Sequence, residues 1–133
     1  VETDGADSLS ASLSAGQHLE IEDITSVATS LGAKKVAKAA YDWCYKHKVV
    51  SHVVSDQDAV DACLEFSNDH RLLVEPACGA TLSALYNPIE FLMDKKNILV
   101  VVCGGAGVMI DKINDWKQKL DNNRMQGIIG SSG

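Results

Sequence analysis

Apolar side chains recur every three or four residues in several stretches of the chain, a spacing that places them on one face of a helix. Helices are therefore predicted over residues 8–15, 27–31, 34–46, 55–66, 79–93 and 110–120. Gly16 and Gly32 follow the first two as helix stops. Ser55 and Asp58 have capping-box spacing at the start of the fourth. Pro88 must kink or split the fifth, because proline lacks an amide proton.

Three shorter runs between these helices are predicted to be strands. Residues 48–54 are β-branched and alternating, residues 71–75 end at Pro76, and residues 97–102 are continuously apolar. A continuous apolar run is typical of a parallel strand covered on both faces, so 97–102 is expected to be the deepest strand. Strands alternating with helices predict an α/β fold with a mainly parallel sheet flanked by helices.

Composition and charge exclude several classes of protein. The chain has 133 residues, 46% of them hydrophobic, and a net charge of -6, which fits one globular domain or part of one. We expect no nucleic-acid partner, because polyanion binding requires clustered Lys and Arg. We expect no membrane partner either, because the longest apolar run, residues 98–103, is too short to cross a bilayer. Scattered cysteines and histidines disfavour a zinc site and favour a reducing, cytoplasmic location.

The two ends of the chain favour a partial sequence. The chain begins at Val1 rather than Met, with a strand-like Val-Glu-Thr that has no preceding cap or turn, so we expect a fragment. From Asn122 the periodicity is lost and the chain finishes Gly-Ser-Ser-Gly. Residues 122–133 are therefore predicted to be an irregular tail of the kind that cloning leaves, and residues 1–121 the folded part.

Three segments at the ends of predicted strands, residues 1–6, 73–80 and 101–105, combine glycine with a polar or sulfur group. Ligands of parallel sheets bind beyond the carboxyl ends of the strands, so these segments are the candidate site. The glycine-rich turn at 103–107 lacks the third glycine of a dinucleotide fingerprint. On its own it predicts only a tight turn between a strand and a helix.

Four motifs, in this order and spacing, resemble those of one family: Val-Glu-Thr-x-Gly-Ala-x-Ser at 1–8, Ile-Thr-Ser-Val-Ala-x-x-Leu-Gly at 24–32, Val-Glu-Pro-Ala-Cys-Gly-Ala at 74–80 and Val-Val-Cys-Gly-Gly at 101–105. They are similar to the animal-type L-serine dehydratases and L-threonine deaminases, which are fold-type-II (tryptophan synthase β-like) pyridoxal-phosphate enzymes. The resemblance implies that residues 1–121 are the C-terminal part of the cofactor-binding catalytic domain.

The activity implied by this resemblance is an ammonia-lyase of amino-acid metabolism and gluconeogenesis. It converts L-serine to pyruvate and L-threonine to 2-oxobutanoate, and the full-length protein is expected to be a homodimer. The Schiff-base lysine and the glycine run that cradles the phosphate are expected upstream of Val1. No catalytic residue is therefore assigned within this chain, and the isolated chain is expected to be inactive.

The resemblance also implies two binding sites. Cys103 is implied to face the pyridine nitrogen of the cofactor, with Gly104 beside it. A neutral thiol suffices there, because β-elimination needs less carbanion stabilisation than a carboxylate partner would give the ring, and transamination is thereby discouraged. A monovalent cation, potassium, is the second expected ligand, because oxygen-only ligation with one carboxylate suits it. Its implied ligands are the Glu2 carboxylate, the Ser8 hydroxyl and the main-chain carbonyls of Ala6, Leu31 and Ala33. Glu75 lies near the cofactor in the family and receives no chemical role.

One departure from the family pattern keeps other functions open. Ala106 and Gly107 stand where the family usually has Ser or Asn followed by Asn, so hydrogen bonds next to the pyridine partner are lost. The alternatives are a non-catalytic α/β relative that acts as a binding or regulatory module, or another fold-type-II enzyme such as a threonine synthase or a racemase.

A fragment of such a fold should expose apolar faces meant for the upstream half of the protein. We therefore expect the chain expressed alone to be poorly soluble or to self-associate, as measured by size-exclusion chromatography with light scattering. A monomer with a sharp two-state unfolding transition would contradict this expectation.

Overall fold

A computed structural model describes residues 1–130 of the chain, with side chains as far as residue 126. The elements, in chain order, are β1 (Glu2–Thr3), α1 (Ser8–Ala15), a 3-10 turn (Thr29–Leu31), α2 (Lys38–Cys44), β2 (Val53–Val54), α3 (Asp56–His70), α4 (Pro76–Tyr86), a second 3-10 turn (Glu90–Leu92) and α5 (Ile110–Gly130). Strands β1 and β2 pair in parallel, with Glu2 opposite Val53 and Thr3 opposite Val54. No helix in the described part is long and apolar enough to span a bilayer.

Two helix boundaries confirm the local sequence signals. Helix α1 ends at Gly16, which adopts a left-handed conformation with φ 64°, a conformation that glycine reaches without steric cost. Helix α3 starts from the predicted capping box, because the Ser55 hydroxyl accepts from the amide of Asp58 and the Asp58 carboxylate accepts from the amide of Ser55. Both boundaries therefore follow from side chains within a few residues of the helix end.

Helices α3 and α4 pack backbone to backbone at Gly79. A Cβ atom at this position would lie 2.0 Å from the carbonyl oxygen of Ala59 and 2.6 Å from Sγ of Cys63, so only glycine permits the approach. Helix α4 begins with Pro76, whose missing amide proton has no cost at the first helical position. The buried core that surrounds this contact includes Val60, Cys63, Phe66, Val74, Cys78, Leu82 and Ile113.

Helix α5 closes the core and is longer than its apolar stripe. Ile113 is fully buried, and Trp116 and Leu120 pack against the core, whereas Ile110 is exposed. Lys117 bridges Asp61 of α3 at 2.8 Å. The helix continues through Gly130, so residues 122–130 are not the irregular tail predicted, because each residue added to an existing helix gains a backbone hydrogen bond without an apolar stripe. Residues 131–133 lie outside the described part.

Three predicted helices differ from the observed ones. The helix predicted over 27–31 is only the 3-10 turn Thr29–Leu31, and the one predicted over 34–46 is α2, Lys38–Cys44, whose buried side chain is Tyr41. The helix predicted over 79–93 is split: α4 ends at Tyr86, and the second 3-10 turn follows Pro88. Proline disfavours helical geometry in the residue before it, which explains this break.

The predicted strands are mostly absent from the described residues. Of residues 48–54 only Val53–Val54 pair, and residues 71–75 and 97–102 belong to neither strand of the sheet. The prediction that 97–102 is the deepest strand is wrong for this chain, because Leu99 is 94% exposed and Val101 67% exposed. A parallel strand requires paired neighbours and a cover on both faces, and the described residues supply neither to this segment.

The helix contact at Gly79 predicts a large effect of a single methyl group. Gly79→Ala should lower the free energy of unfolding by about 2 kcal/mol. Overlap with the α3 backbone destabilises the fold by about 3 kcal/mol, and the higher helix propensity of alanine offsets about 1 kcal/mol of this. Urea denaturation measures this change. Gly107→Ala is the matched control, since its Cβ would meet only the Glu75 carboxylate at 3.9 Å and should change stability by less than about 0.5 kcal/mol. Equal effects of the two substitutions would contradict the contact.

Candidate functional site

The turn at Cys103 is held against the start of α4 by two hydrogen bonds that main-chain amides donate. The amide of Cys103 donates to Sγ of Cys78 at 3.0 Å. The amide of Glu75 donates to the carbonyl oxygen of Gly104 at 3.1 Å. Cys103 itself is exposed, so its own thiol is left free while its backbone is fixed.

Two glycines shape this turn for different reasons. Gly104 has a φ of 120°, and no atom lies within 4 Å of where its Cβ would be. Glycine is therefore required by the backbone conformation and not by lack of space. At Gly105 a Cβ would lie 2.6 Å from the carbonyl oxygen of Leu73 and 2.7 Å from Cα of Val74. Close approach of two backbones therefore requires glycine there. A turn does form, because the amide of Val108 donates to the carbonyl of Gly105 at 3.1 Å, but it does not follow the predicted strand, since residues 97–102 form none.

Three cysteines lie at or near the contact between this turn and α4, and they differ in burial. Cys63 and Cys78 are buried, whereas Cys103 is exposed. Burial raises the pKa of the Cys63 thiol to about 12. A hydrogen bond from the amide of Gly79 opposes this shift, and smaller contributions from the nearby Cys78 and Glu75 add to it. Cys63 is therefore a protonated packing residue, and Cys103 is the thiol of the three that a ligand could reach.

Glu2, a predicted cation ligand, is already hydrogen bonded to the start of α1. Its two carboxylate oxygens accept from the amides of Leu9 at 3.0 Å and Ser10 at 2.8 Å. A negative charge at a helix N-terminus is favourable, because it meets unpaired amides and the positive end of the helix dipole. Ser8 and Ala6, two further predicted ligands, are buried beside it.

A buried hydroxyl pair joins this segment to the loop before the first 3-10 turn. Thr3 Oγ1 and Ser26 Oγ lie 2.7 Å apart. The Asp56 carboxylate accepts from the Ser26 hydroxyl and from the amide of Val27. The carbonyl of Gly5 accepts from the amide of Thr25 at 3.0 Å. The structure therefore brings the 1–8 and 24–32 motifs side by side.

The last two predicted cation ligands follow this loop. Leu31 is half-buried, and its carbonyl accepts from the amide of Ala33 at 2.8 Å, while Ala33 is exposed. Within the described residues, no three His, Cys, Asp or Glu side chains cluster so as to hold a metal ion. The predicted cation ligands are not a cluster of this kind, because most of them are main-chain carbonyls and only one is a carboxylate.

Several contacts that build this region were not predicted. Cys78 and Glu75 hold the turn through atoms whose partners lie more than 20 residues away, and Asp56 holds Ser26 in the same manner. The only local signal was the position of Cys78 and Glu75 within the Glu-Pro-Ala-Cys-Gly-Ala motif.

Known proteins that are similar to this chain share one cofactor class. Residues 1–104 match the family model described as pyridoxal-phosphate dependent enzyme. An L-serine dehydratase of Dictyostelium discoideum is 45% identical over 105 residues, which are 77% of this chain and 30% of that protein. The human L-serine dehydratase/L-threonine deaminase is 39% identical over 128 residues, 90% of this chain and 39% of that protein.

A solved structure agrees with these sequence matches. The fungal L-serine ammonia-lyase from Rhizomucor miehei superposes with a TM-score of 0.82 at 32% identity, covering 88% of this chain and 39% of that one. The chain belongs to the family of pyridoxal-phosphate dependent enzymes, and its fold is that of a fold-type-II member. Its resemblance to the serine dehydratases is confirmed, and it spans 30% to 39% of the length of the relatives named here.

Two observations at the turn are compatible with the predicted cofactor contact. The Cys103 thiol is exposed on a backbone held by hydrogen bonds, and nothing lies within 4 Å of where a Cβ of Gly104 would be. A separate cavity of about 230 Å³, lined by residues such as His52, Asp58 and Asn87, contains none of the predicted cofactor or cation residues. The candidate site is therefore not part of this cavity, and Cys103 is exposed.

The surroundings of the cysteines predict their order of modification. With an alkylating reagent at about pH 8, Cys103 should react first, and Cys63 should stay unmodified until the chain unfolds, because its raised pKa and its burial both suppress the thiolate. Peptide mass spectrometry follows each site. Cys103→Ser should remove the fast phase and leave the protection of Cys63 unchanged. Modification of Cys63 as fast as that of Cys103 in the folded chain would contradict the packing described.

Proposed function

We propose that this chain forms the C-terminal part of an L-serine/L-threonine ammonia-lyase. The observation that carries the proposal is the Cys103 turn, which presents an exposed thiol on a backbone held by Cys78 and Glu75. The similarity to proteins named L-serine dehydratase and L-serine ammonia-lyase supports the substrate class over that of a threonine synthase or a racemase.

Bound pyridoxal phosphate supplies the electron withdrawal that lets an amino acid lose its α-proton and then its β-hydroxyl group. The Cys103 thiol would be the hydrogen-bonding partner of the pyridine nitrogen, and an uncharged thiol would not stabilise a full positive charge on the ring. Gly104 carries no side chain and leaves the ring edge accessible. The amine that holds the cofactor and accepts the α-proton belongs to the part of the protein outside this chain.

We further propose that potassium braces the loops beside this turn. The proposed ligands are the Glu2 carboxylate, the Ser8 hydroxyl and the carbonyls of Ala6, Leu31 and Ala33. Support comes from the buried Thr3–Ser26 pair and Asp56, which bring the two ligand-bearing segments together. A monovalent ion polarises a substrate weakly, so its role is to fix main-chain geometry rather than to activate a reacting atom. We also propose a homodimer in the cytoplasm for the full-length protein.

The second candidate function is a non-catalytic binding or regulatory module. Ala106 is exposed, and Gly107 has no side chain, so neither residue offers the polar side chain that the family usually places after the two glycines. A ring bound here would have Cys103 as its hydrogen-bonding partner but would lack that further support.

The absorption spectrum of the full-length protein, purified with pyridoxal phosphate, separates the two functions. The lyase predicts a near-visible cofactor band that L-serine perturbs, together with release of pyruvate. Cys103→Ser keeps a neutral partner and should retain activity, whereas Cys103→Asp should lower the rate of pyruvate formation roughly tenfold, equivalent to about 1.4 kcal/mol in the barrier. No band, or a band that L-serine leaves unchanged, would overturn the lyase in favour of the binding module.

A further inference from the structure

Glu75 contacts two regions to which the proposed function gives separate ligands. Its amide donates to the carbonyl of Gly104 at 3.1 Å, inside the cofactor turn, defined as residues 103–107. Its carboxylate accepts from the Ser30 hydroxyl at 3.0 Å, inside the cation loop, defined as residues 29–33. One residue therefore joins the two segments directly, through its backbone on one side and its side chain on the other.

Glu75 is the residue immediately before α4, so its side chain lies beside the free amides of the first helical turn. Here the side chain makes no capping bond with them. One carboxylate oxygen meets Ser30 instead, and the other faces the Gly107 end of the cofactor turn, 3.9 Å from where a Cβ of Gly107 would lie.

Ser30 is the residue of the cation loop that contacts Glu75. It is the middle residue of the 3-10 turn Thr29–Leu31 and directly precedes Leu31, whose carbonyl is a proposed cation ligand. A shift of this short turn therefore moves the carbonyl and the Ser30 hydroxyl together. Because the Glu75 backbone continues into α4, which Gly79 fixes against α3, the carboxylate is anchored to a rigid element rather than to another loop.

We propose that Glu75 is a positioning residue that couples the two sites, so that a cation bound at the cation loop strengthens cofactor binding at the cofactor turn. This inference rests on the proposed cofactor and cation sites. The coupling runs from the Leu31 carbonyl through the Ser30 hydroxyl and the Glu75 carboxylate to the Gly104 carbonyl. Thermodynamic linkage makes it reciprocal: the factor by which potassium raises cofactor affinity equals the factor by which the cofactor raises potassium affinity.

The test is a double-mutant cycle on the full-length protein that contains this chain. Pyridoxal phosphate affinity is measured by equilibrium dialysis in potassium chloride and in choline chloride at equal ionic strength, for the wild type, Ser30→Ala, Glu75→Ala and the double variant. The wild type should bind the cofactor at least roughly fivefold more tightly in potassium. Both single variants and the double variant should lose most of that factor, by the same amount.

Three variants guard against a merely structural explanation. Ser30→Thr keeps the hydroxyl and should restore the potassium effect. Glu65→Gln alters an exposed carboxylate on α3 and should leave the effect unchanged. Ser30→Ala removes only an exposed hydroxyl, so this variant should fold even if Glu75→Ala does not.

Several outcomes would overturn the coupling. Full retention of the potassium effect in Ser30→Ala and Glu75→Ala would overturn it, as would equal loss in Glu65→Gln. A wild type that binds the cofactor equally in both salts would overturn the coupling, while the response of its absorption band to L-serine would still decide the lyase function. A wild type that binds no cofactor would overturn the proposed function and this inference together.

Discussion

The close approach of α3 and α4 at Gly79 is the constraint on which the rest of this structure depends. With no side chain at Gly79, the α4 backbone packs directly against the carbonyl oxygen of Ala59, and this contact fixes the start of α4. The sulfur of Cys78 and the amide of Glu75, both at the start of α4, then hold the turn that carries Cys103. A buried packing contact thereby determines where the reachable thiol lies.

The features that the sequence predicted correctly depend on neighbouring residues. The capping box at Ser55 and Asp58 and the helix stop at Gly16 each arise from backbone and side-chain preferences within four residues. The family motifs identified the cofactor class because motif residues were compared as a set, whereas composition and periodicity alone reached only an α/β domain.

The features that were missed depend on distant partners. Residues 97–102 have the apolar sequence of a central strand, but a strand forms only where other strands pair with it, and the described residues provide none. The contacts of Asp56 with Ser26 and of Glu75 with Ser30 join residues 30 and 45 positions apart, a separation at which sequence spacing carries no signal. Helix α5 exceeds its predicted length because its exposed part needs no apolar face.

The central claim is that the turn held by Cys78 and Glu75 presents Cys103 to the pyridine ring of the cofactor. A crystal structure of the full-length protein with pyridoxal phosphate tests it directly. The account predicts that Sγ of Cys103 lies within hydrogen-bonding distance of the pyridine nitrogen while its amide still donates to Sγ of Cys78. A ring nitrogen that bonds to a different side chain, with the Cys103 thiol directed away from the cofactor, would contradict the account.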